Sequence, residues 1–155
     1  MFKRRIHIII SVICIAIILT ATLIFYTNNA NNKLQTDIML LSERFPEFIT
    51  KETAIKCCYI ADKYSSYSRI GPDTYWMKGL VKITDSELKR LLSEYEFSEC
   101  EITPDEKFSS YLSEYNNIKW NYSPKLSYDI TQSHFIGNFY LDTANGIYYF
   151  EVDSN

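Results

Sequence analysis

The residues of this chain that could do chemistry are a few cysteines and histidines. Cys57 and Cys58 are adjacent in the stretch AIKCCYIADKY, and Cys100 and His134 follow much later. Thiolate and imidazole groups are zinc ligands, and a histidine can activate a thiol or hydroxyl nucleophile. However, adjacent cysteines point to different sides of a helix, and the chain has no C-x-x-C spacing. We therefore expect these four residues to hold neither a metal nor a cofactor.

Catalysis by this chain would have to use His134, because the other histidine, His7, lies near the N-terminus. Nothing around His134 resembles a nucleophile elbow, and a histidine at the start of a strand is more often solvated or hydrogen-bonded. Neighbouring carboxylates such as Asp105 and Glu106 fit a helix start or a solvated face. A hydrolase using His134 is therefore a remote alternative.

The first 26 residues decide in which compartment the thiols lie. Residues 1–5, MFKRR, are cationic, whereas residues 6–26 carry no Asp, Glu, Lys or Arg. A bilayer core of about 30 Å needs roughly 20 apolar residues of helix, and this run supplies them. The run is longer than the roughly 7–15 residues of a signal-peptide core, and cleavage after Ala30 would place Asn28 where a small residue is preferred. We predict an uncleaved transmembrane signal-anchor, with a cleaved signal as the alternative.

The charges that flank the apolar run predict its orientation. Three cations precede it, and the first cation after it is Lys33. The positive-inside rule then keeps the N-terminus in the cytoplasm and places residues 27–155 in the periplasm or outside the cell. The predicted organisation is a cytoplasmic flank at 1–5, a span at 6–26, a polar spacer at 27–33 and an extracytoplasmic domain at 34–155.

The predicted exported part is acidic and lacks phosphate-binding loops. Of the 16 Lys and Arg residues three precede the span, so 13 remain against all 19 Asp and Glu, a net charge of −6. Such a surface does not favour nucleic acid as a partner. The four glycines, at positions 71, 79, 137 and 146, are too far apart for a G-x-G-x-x-G or Walker-type loop.

An oxidising compartment would favour pairing among the three exported cysteines and would leave one over. We expect a disulfide from Cys100 to either Cys57 or Cys58, closing a loop of roughly 42 residues worth about 3–4 kcal/mol. On a helix Cys58 would be the buried one and Cys57 the more accessible, but helix phase leaves open which of them pairs. The alternative is three reduced thiols that pack as small apolar residues.

The pattern after the spacer predicts an α+β domain. Apolar periodicity and capping signals, such as the T-x-x-E boxes at Thr84 and Thr103, indicate helices, while alternation and Asn145-Gly146 indicate strands and a hairpin. The predicted helices cover 34–45, a segment from Thr50 through Ala61, 84–97 and 103–117. The predicted strands cover 74–83, 118–122, 126–130, 134–142 and 147–152. This order favours helices packed on one face of an antiparallel sheet that ends in a β-meander.

The predicted strands carry more large apolar side chains than one buried sheet face needs. Tyrosine and tryptophan often supply the strongest contacts of protein interfaces. The candidate interaction residues are Trp76, Leu80, Trp120, Tyr122, Tyr140, Tyr148 and Phe150. Their alternative role is packing in the core.

The layout of an apolar anchor followed by a small exported α+β domain is similar to that of membrane-anchored immunity proteins of bacteria. It also resembles pilins, whose signature is a leader that ends in glycine, followed by a hydrophobic run with glutamate at its fifth position. The chain has neither a glycine nor a glutamate before Glu43, which rejects that family. We expect a membrane-anchored protein-interaction module, such as an immunity or inhibitor protein or a subunit of an envelope complex. The alternative is a small-molecule or lipid binder with a pocket between the sheet and the helices.

Overall fold

The structure is a computed structural model that describes Ile15 and residues 17–20, 34–63, 75–132 and 134–154. The chain divides into two units, Met1–Lys33 and Leu34–Asn155. In the first unit Ile15 and residues 17–20 are helical, and the rest of the predicted flank, span and spacer lies outside the described residues. None of the helices formed by described residues combines the length and the apolar character needed to cross a membrane.

The second unit is built on a six-stranded antiparallel sheet with strand order β1-β2-β6-β5-β4-β3. The strands are β1 (Ala54–Lys63), β2 (Tyr75–Ile83), β3 (Ser98–Glu99), β4 (Trp120–Tyr122), β5 (Phe135–Asp142) and β6 (Ile147–Ser154). The helices are α1 (Ile38–Arg44), α2 (Asp85–Glu94), α3 (Ser109–Leu112), which follows a 3₁₀ turn at Glu106–Phe108, and α4 (Pro124–Thr131). The predicted α+β class with an antiparallel sheet is confirmed.

The helix predicted from Thr50 is wrong, because this segment makes one turn and then becomes strand β1. The Thr50 hydroxyl accepts hydrogen bonds from the N–H groups of Glu52 and Thr53 at 3.2 and 3.1 Å, as a helix cap would. The chain then extends, and Ala54–Lys63 pairs with β2 along its length. Pairing with a long neighbouring strand outweighs the local helix signal, because apolar spacing in a ten-residue segment is only weak evidence for a helix.

The strand predicted at residues 126–130 is also wrong, because these residues lie in helix α4. The Ser123 hydroxyl accepts from the N–H of Leu126 at 3.4 Å, and Pro124 occupies the first turn, where its missing N–H does no harm. Leu126, Ser127 and Ile130 are buried, which is a helical spacing. Five residues are too few to separate a period of two from a period of 3.6.

The two capping boxes have different outcomes. At α2 the Thr84 hydroxyl accepts from the N–H of Glu87 at 3.3 Å, which confirms the predicted start of this helix. Before α3 the cap is Asp105, whose carboxylate accepts from the N–H of Lys107 at 3.0 Å, and not the predicted Thr103. The helical segment there is correspondingly shorter than the predicted 103–117.

Both faces of the sheet are covered, which corrects the prediction of helices on one face only. Helices α1, α2 and α4 cover the first face through buried residues such as Leu41, Leu91 and Leu126. On the second face the segment 100–118, which contains α3, packs with Phe108 buried. This second cover is required because that face also carries apolar side chains from β1, β2 and β6, which are Cys58, Ile60, Leu80, Ile147 and Tyr149.

Aromatic rings fill the space between the sheet and the three helices of the first face. The ring centroid of Phe45 lies 5.3 Å from that of Phe139, which stacks on Phe150 at 5.3 Å. Phe150 has room only because its neighbour on β2 is Gly79, where an added Cβ would lie 2.5 Å from the Tyr59 Cβ and 2.8 Å from the Phe150 ring. This side of the sheet is therefore a packed core.

A buried serine continues the sheet where strand β4 ends. The Ser127 hydroxyl donates to the carbonyl of Phe139 at 3.2 Å and accepts from the N–H of Phe139 at 3.0 Å. Strand β4 pairs only with Tyr140, Leu141 and Asp142 of β5. The Ser127 side chain on α4 therefore satisfies the backbone N–H and C=O of Phe139, the β5 residue just before the stretch that β4 pairs. A longer β4 would have satisfied the same two groups.

Replacing Ser127 with alanine should destabilise the protein by about 1–3 kcal/mol, because it leaves a buried N–H and a buried C=O unpaired. Chemical denaturation of the full chain, followed by tryptophan fluorescence, measures this change. The control is Ser93→Ala, which removes an exposed hydroxyl that donates to the Arg90 carbonyl at 2.7 Å. The control should change the unfolding free energy by less than about 0.5 kcal/mol. Equal effects of the two substitutions would contradict the assigned role of Ser127.

Candidate functional site

The adjacent cysteines lie on opposite faces of strand β1. Cys57 belongs to the core under the helices, and Cys58 belongs to the core under the segment 100–118. Their exposed fractions are 3% and 5%, so the expectation that Cys57 is the more accessible is wrong. The physical reason is that a strand with both faces covered buries successive side chains equally.

The strand order separates the expected disulfide partners. Cys58 lies on the edge strand β1, whereas the N–H of Cys100 donates to the carbonyl of Trp120 on β4 at 3.0 Å. With strands about 4.8 Å apart, this places the two backbones on the order of 20 Å from each other. A disulfide needs Cα atoms roughly 4.4–6.8 Å apart. Cys57, Cys58 and Cys100 are free thiols in the structure, and the expected bond to Cys100 is not formed.

The environment of the two buried thiols keeps them protonated. Burial, and to a smaller extent the Asp37 carboxylate, raises the pKa of Cys57 to about 11. Burial and the neighbouring Cys57 raise the pKa of Cys58 to about 12. Nucleophilic attack and metal ligation need the thiolate, so both residues are set up as small core side chains. Within the described part of the chain, no group of three His, Cys, Asp or Glu side chains is placed to hold a metal ion.

His134 is exposed and lies beside a small cavity of about 140 Å³ together with Thr131. The Thr131 hydroxyl is buried and donates to the carbonyl of Ser127 at 2.8 Å. That hydroxyl already donates within its own helix, and the described residues that line the cavity include no cysteine or serine. The geometry therefore supplies His134 with no nucleophile among the described residues of this cavity.

Four of the seven residues predicted to form an interaction surface belong to the core. Tyr148 and Phe150 pack under the helices, and Leu80 and Trp120 pack on the second face, all buried. The other three candidates, Trp76, Tyr122 and Tyr140, are half-buried. Of the seven candidates, Trp76 is the one that lines a cavity described below.

A trough runs over the part of the second sheet face that the segment 100–118 leaves open. We call it the sheet-side trough, and its volume is about 550 Å³. It is lined by Trp76, Met77, Lys78, Asp105, Ile136, Gly137, Asn138, Glu151, Val152 and Asp153. Ile136, near the start of β5 where β4 does not pair with it, is a large apolar side chain that is 63% exposed.

The trough combines an apolar floor with negative charge. Its charged residues are three carboxylates, Asp105, Glu151 and Asp153, and one cation, Lys78, whose Nζ lies 3.1 Å from Glu151. At Gly137 the backbone of β5 lies so close to that of β6 that an added Cβ would lie 2.1 Å from the Glu151 carbonyl oxygen. Among the described lining residues, three carboxylates and one cation therefore lie beside an apolar patch.

A second surface depression, of about 710 Å³, lies on the helix side. We call it the helix-side groove, and it is lined by Glu47, Phe48, Arg90, Tyr95, Tyr128, Asp129 and Gln132. It lies beside the small cavity at His134, since Glu47, Phe48, Asp129 and Gln132 line both. Sequence reasoning missed it, because the prediction of a strand at 126–130 hid the helix that carries Tyr128 and Asp129.

Two ion-pair networks fix the polar side chains of the groove. The Arg90 guanidinium donates to both carboxylate oxygens of Glu87, at 2.9 and 2.6 Å, and to Glu94 at 2.5 Å. Asp129 Oδ2 accepts from Lys125 at 2.5 Å and from the Tyr95 hydroxyl at 3.1 Å. The hydrogen bond from Lys125, supported by that from Tyr95, lowers the pKa of Asp129. The Asp129 carboxylate is therefore ionised and held in place at neutral pH.

Comparison with protein-family profiles, with curated protein sequences and with solved structures gives no match for this chain. No relative therefore indicates a ligand for the trough or for the groove. The proposals below rest on the residues of the chain itself.

Thiol counting tests the positions of the cysteines. In a Cys14→Ser variant of the full chain, we expect Cys100 to react with a thiol reagent in the folded protein, because it is only half-buried. Cys57 and Cys58 should react only after unfolding, since they are buried and protonated. Unfolding without reductant should then release both. A count that rises only after a reductant is added would show a disulfide and contradict the strand order.

Proposed function

We propose that this chain is a membrane-anchored, extracytoplasmic protein-interaction module, of the kind that serves as an immunity or inhibitor protein or as a subunit of an envelope complex. The observation that carries the proposal is the sheet-side trough. It presents Trp76 and Ile136 beside three carboxylates on a face that an antiparallel sheet can leave to a partner. The partner that this chemistry fits is a protein segment with basic and apolar side chains.

Charge and shape support a protein partner at the trough. An apolar patch rimmed by polar groups is typical of an interaction site, and Trp76 is of the residue type that dominates interface energies. The carboxylates would attract cations of the partner, and the net charge of −6 predicted for the exported part acts in the same direction. The basic side chains set orientation and association rate, and the apolar contact supplies most of the affinity.

The anchor is the other half of the proposal. Residues 6–26 would form the single span, with the N-terminus in the cytoplasm and residues 27–155 outside the inner membrane. Ile17, Ile18 and Leu19 are helical and about 60% exposed, which suits side chains that meet lipid. An anchored module would meet its partner at the membrane surface.

The alternative of a lipid or small-molecule pocket between the sheet and the helices has less support. The rings of Phe45, Phe139 and Phe150 occupy that space in mutual contact. The remote alternative of a hydrolase has the least support, because the described residues that line the cavity at His134 supply no free nucleophile. The sheet-side trough supports neither of these two alternatives.

Site-specific photocrosslinking in native membranes tests the partner. A photoreactive amino acid at Ile136 should crosslink the full chain to a protein with a basic segment, whereas the same probe at the exposed Leu92 on helix α2 should not. About 0.5 M salt should weaken the crosslink, because it screens the carboxylates. Asp153→Lys should weaken it as well, since it reverses a charge in the trough, while Glu43→Lys on α1 is the matched control.

Three results would contradict this use of the trough. They are crosslinks from Leu92 but not from Ile136, a crosslinked partner without a basic segment, and crosslinks that neither salt nor Asp153→Lys changes. In each case the apolar patch or the carboxylates would have no part in recognition.

Cysteine accessibility tests the anchor and its orientation. In a Cys14→Ser, Cys100→Ser background, an Ala30→Cys variant should react with a membrane-impermeant maleimide in intact spheroplasts. A Phe2→Cys variant should react only after the membrane is permeabilised, because the cationic flank keeps the N-terminus inside. The reverse pattern would contradict the orientation. Release of the chain from membranes by alkaline carbonate would contradict the span.

A further inference from the structure

We infer that the helix-side groove is a second binding site, distinct from the sheet-side trough, and that its ligand is a neutral saccharide. The groove volume of about 710 Å³ falls within the range of ligand sites, roughly 300–1,000 Å³. Three features of its lining point to a polyhydroxylated, uncharged ligand.

The first feature is the backbone at Gln132, which follows helix α4. Its φ of 46° and ψ of −126° match the first central position of a type II′ turn, a position that favours glycine. The N–H of His134 donates to the carbonyl of Thr131 at 3.3 Å, which closes the turn. A glutamine at a glycine position is strained, and such strain concentrates where a side chain is needed for function. Here the side chain at that position lines the groove.

The second feature is the set of polar groups that still have hydrogen-bonding capacity. Three of the five N–H groups of Arg90 donate to Glu87 and Glu94, and the other two make no hydrogen bond to a described residue. Asp129 accepts through Oδ2, and its Oδ1 has no hydrogen bond to a described residue. Fixed donors beside fixed acceptors suit hydroxyl groups, each of which both donates and accepts.

Counted with their ion-pair partners, the charged residues described at the groove are four carboxylates, Glu47, Glu87, Glu94 and Asp129, and two cations, Arg90 and Lys125, which are both already paired. An anionic ligand would therefore find no excess positive charge there.

The third feature is the aromatic ring at the rim. Tyr128 is 73% exposed, the largest exposed fraction among the large apolar side chains of the described residues. The face of its ring carries partial negative charge, and the C–H groups on one side of a sugar ring carry partial positive charge. Stacking of a sugar on Tyr128 would bring its hydroxyls towards Asp129 and Gln132, which line the same groove.

Saccharide binding by the full chain in phospholipid nanodiscs tests this inference. The probes are the neutral oligosaccharides maltotetraose, chitotetraose and mannotetraose, with a hyaluronan tetrasaccharide as the anionic comparison, followed by saturation-transfer NMR and titration. At least one neutral probe should bind with a Kd of about 10 mM or tighter, and more tightly than hyaluronan. Tyr128→Ala should weaken it at least roughly tenfold, and the trough variant Ile136→Ser should leave it unchanged.

A second variant separates binding from folding. Gln132→Gly removes the amide and relieves the backbone, so it should weaken saccharide binding while raising the denaturant midpoint of unfolding. A purely structural Gln132 would instead leave binding unchanged. The inference is overturned if no neutral probe binds, if hyaluronan binds more tightly, or if Tyr128→Ala and Gln132→Gly leave the affinity unchanged. Because Ile136→Ser acts on the trough alone, these outcomes do not depend on the proposed protein partner.

Discussion

The fold depends on the fact that both faces of the central sheet carry large apolar side chains. Each face has to be removed from water, and the chain provides two unequal covers. Three helices bury the first face around the contacts of Phe45, Phe139 and Phe150. The second face receives only the segment 100–118, so part of it remains open. The trough is the direct consequence of this inequality.

The covering segment is held down by contacts at its far end from the trough. Lys56 on β1 pairs with Glu114 at 2.5 Å and lies 4.4 Å from the centroid of the Tyr111 ring. Phe108 fills the middle of the second core, 6.2 Å from Tyr149. Asp105, near the start of the segment, reaches the edge of the trough. The same short cover therefore buries one part of the face and supplies one carboxylate to the part that it leaves open.

On the first face, ion pairs decide which polar groups remain available. Glu87 was expected to complete a capping box, but its carboxylate binds Arg90 on the next turn of the helix. This pairing orients Arg90 towards the loop at Phe48, whose ring centroid lies 5.9 Å away. Lys125 orients Asp129 in the same manner. The groove therefore has a rigid polar lining, which lowers the entropic cost of binding a ligand.

Local signals in the sequence determined the parts of the fold that depend on neighbours in the chain. The cap of α2, the alternation of β2 and the Asn145-Gly146 hairpin between β5 and β6 follow from residues a few positions apart. The apolar run at 6–26 likewise stands as a prediction from composition alone. The tertiary structure decided what depends on distant partners. Segment 54–63 is a strand because β2 pairs with it, and 126–130 is a helix because the first face needs a cover there.

The adjacent cysteines show the same division most clearly. The sequence determined that Cys57 and Cys58 are neighbours and that Cys100 is a third thiol in the same domain. Only the strand order places Cys58 and Cys100 near opposite edges of the sheet, and only the two covers bury Cys57 and Cys58 on opposite faces. Local sequence cannot encode these positions, because burial and strand order are set by contacts between residues far apart in the chain.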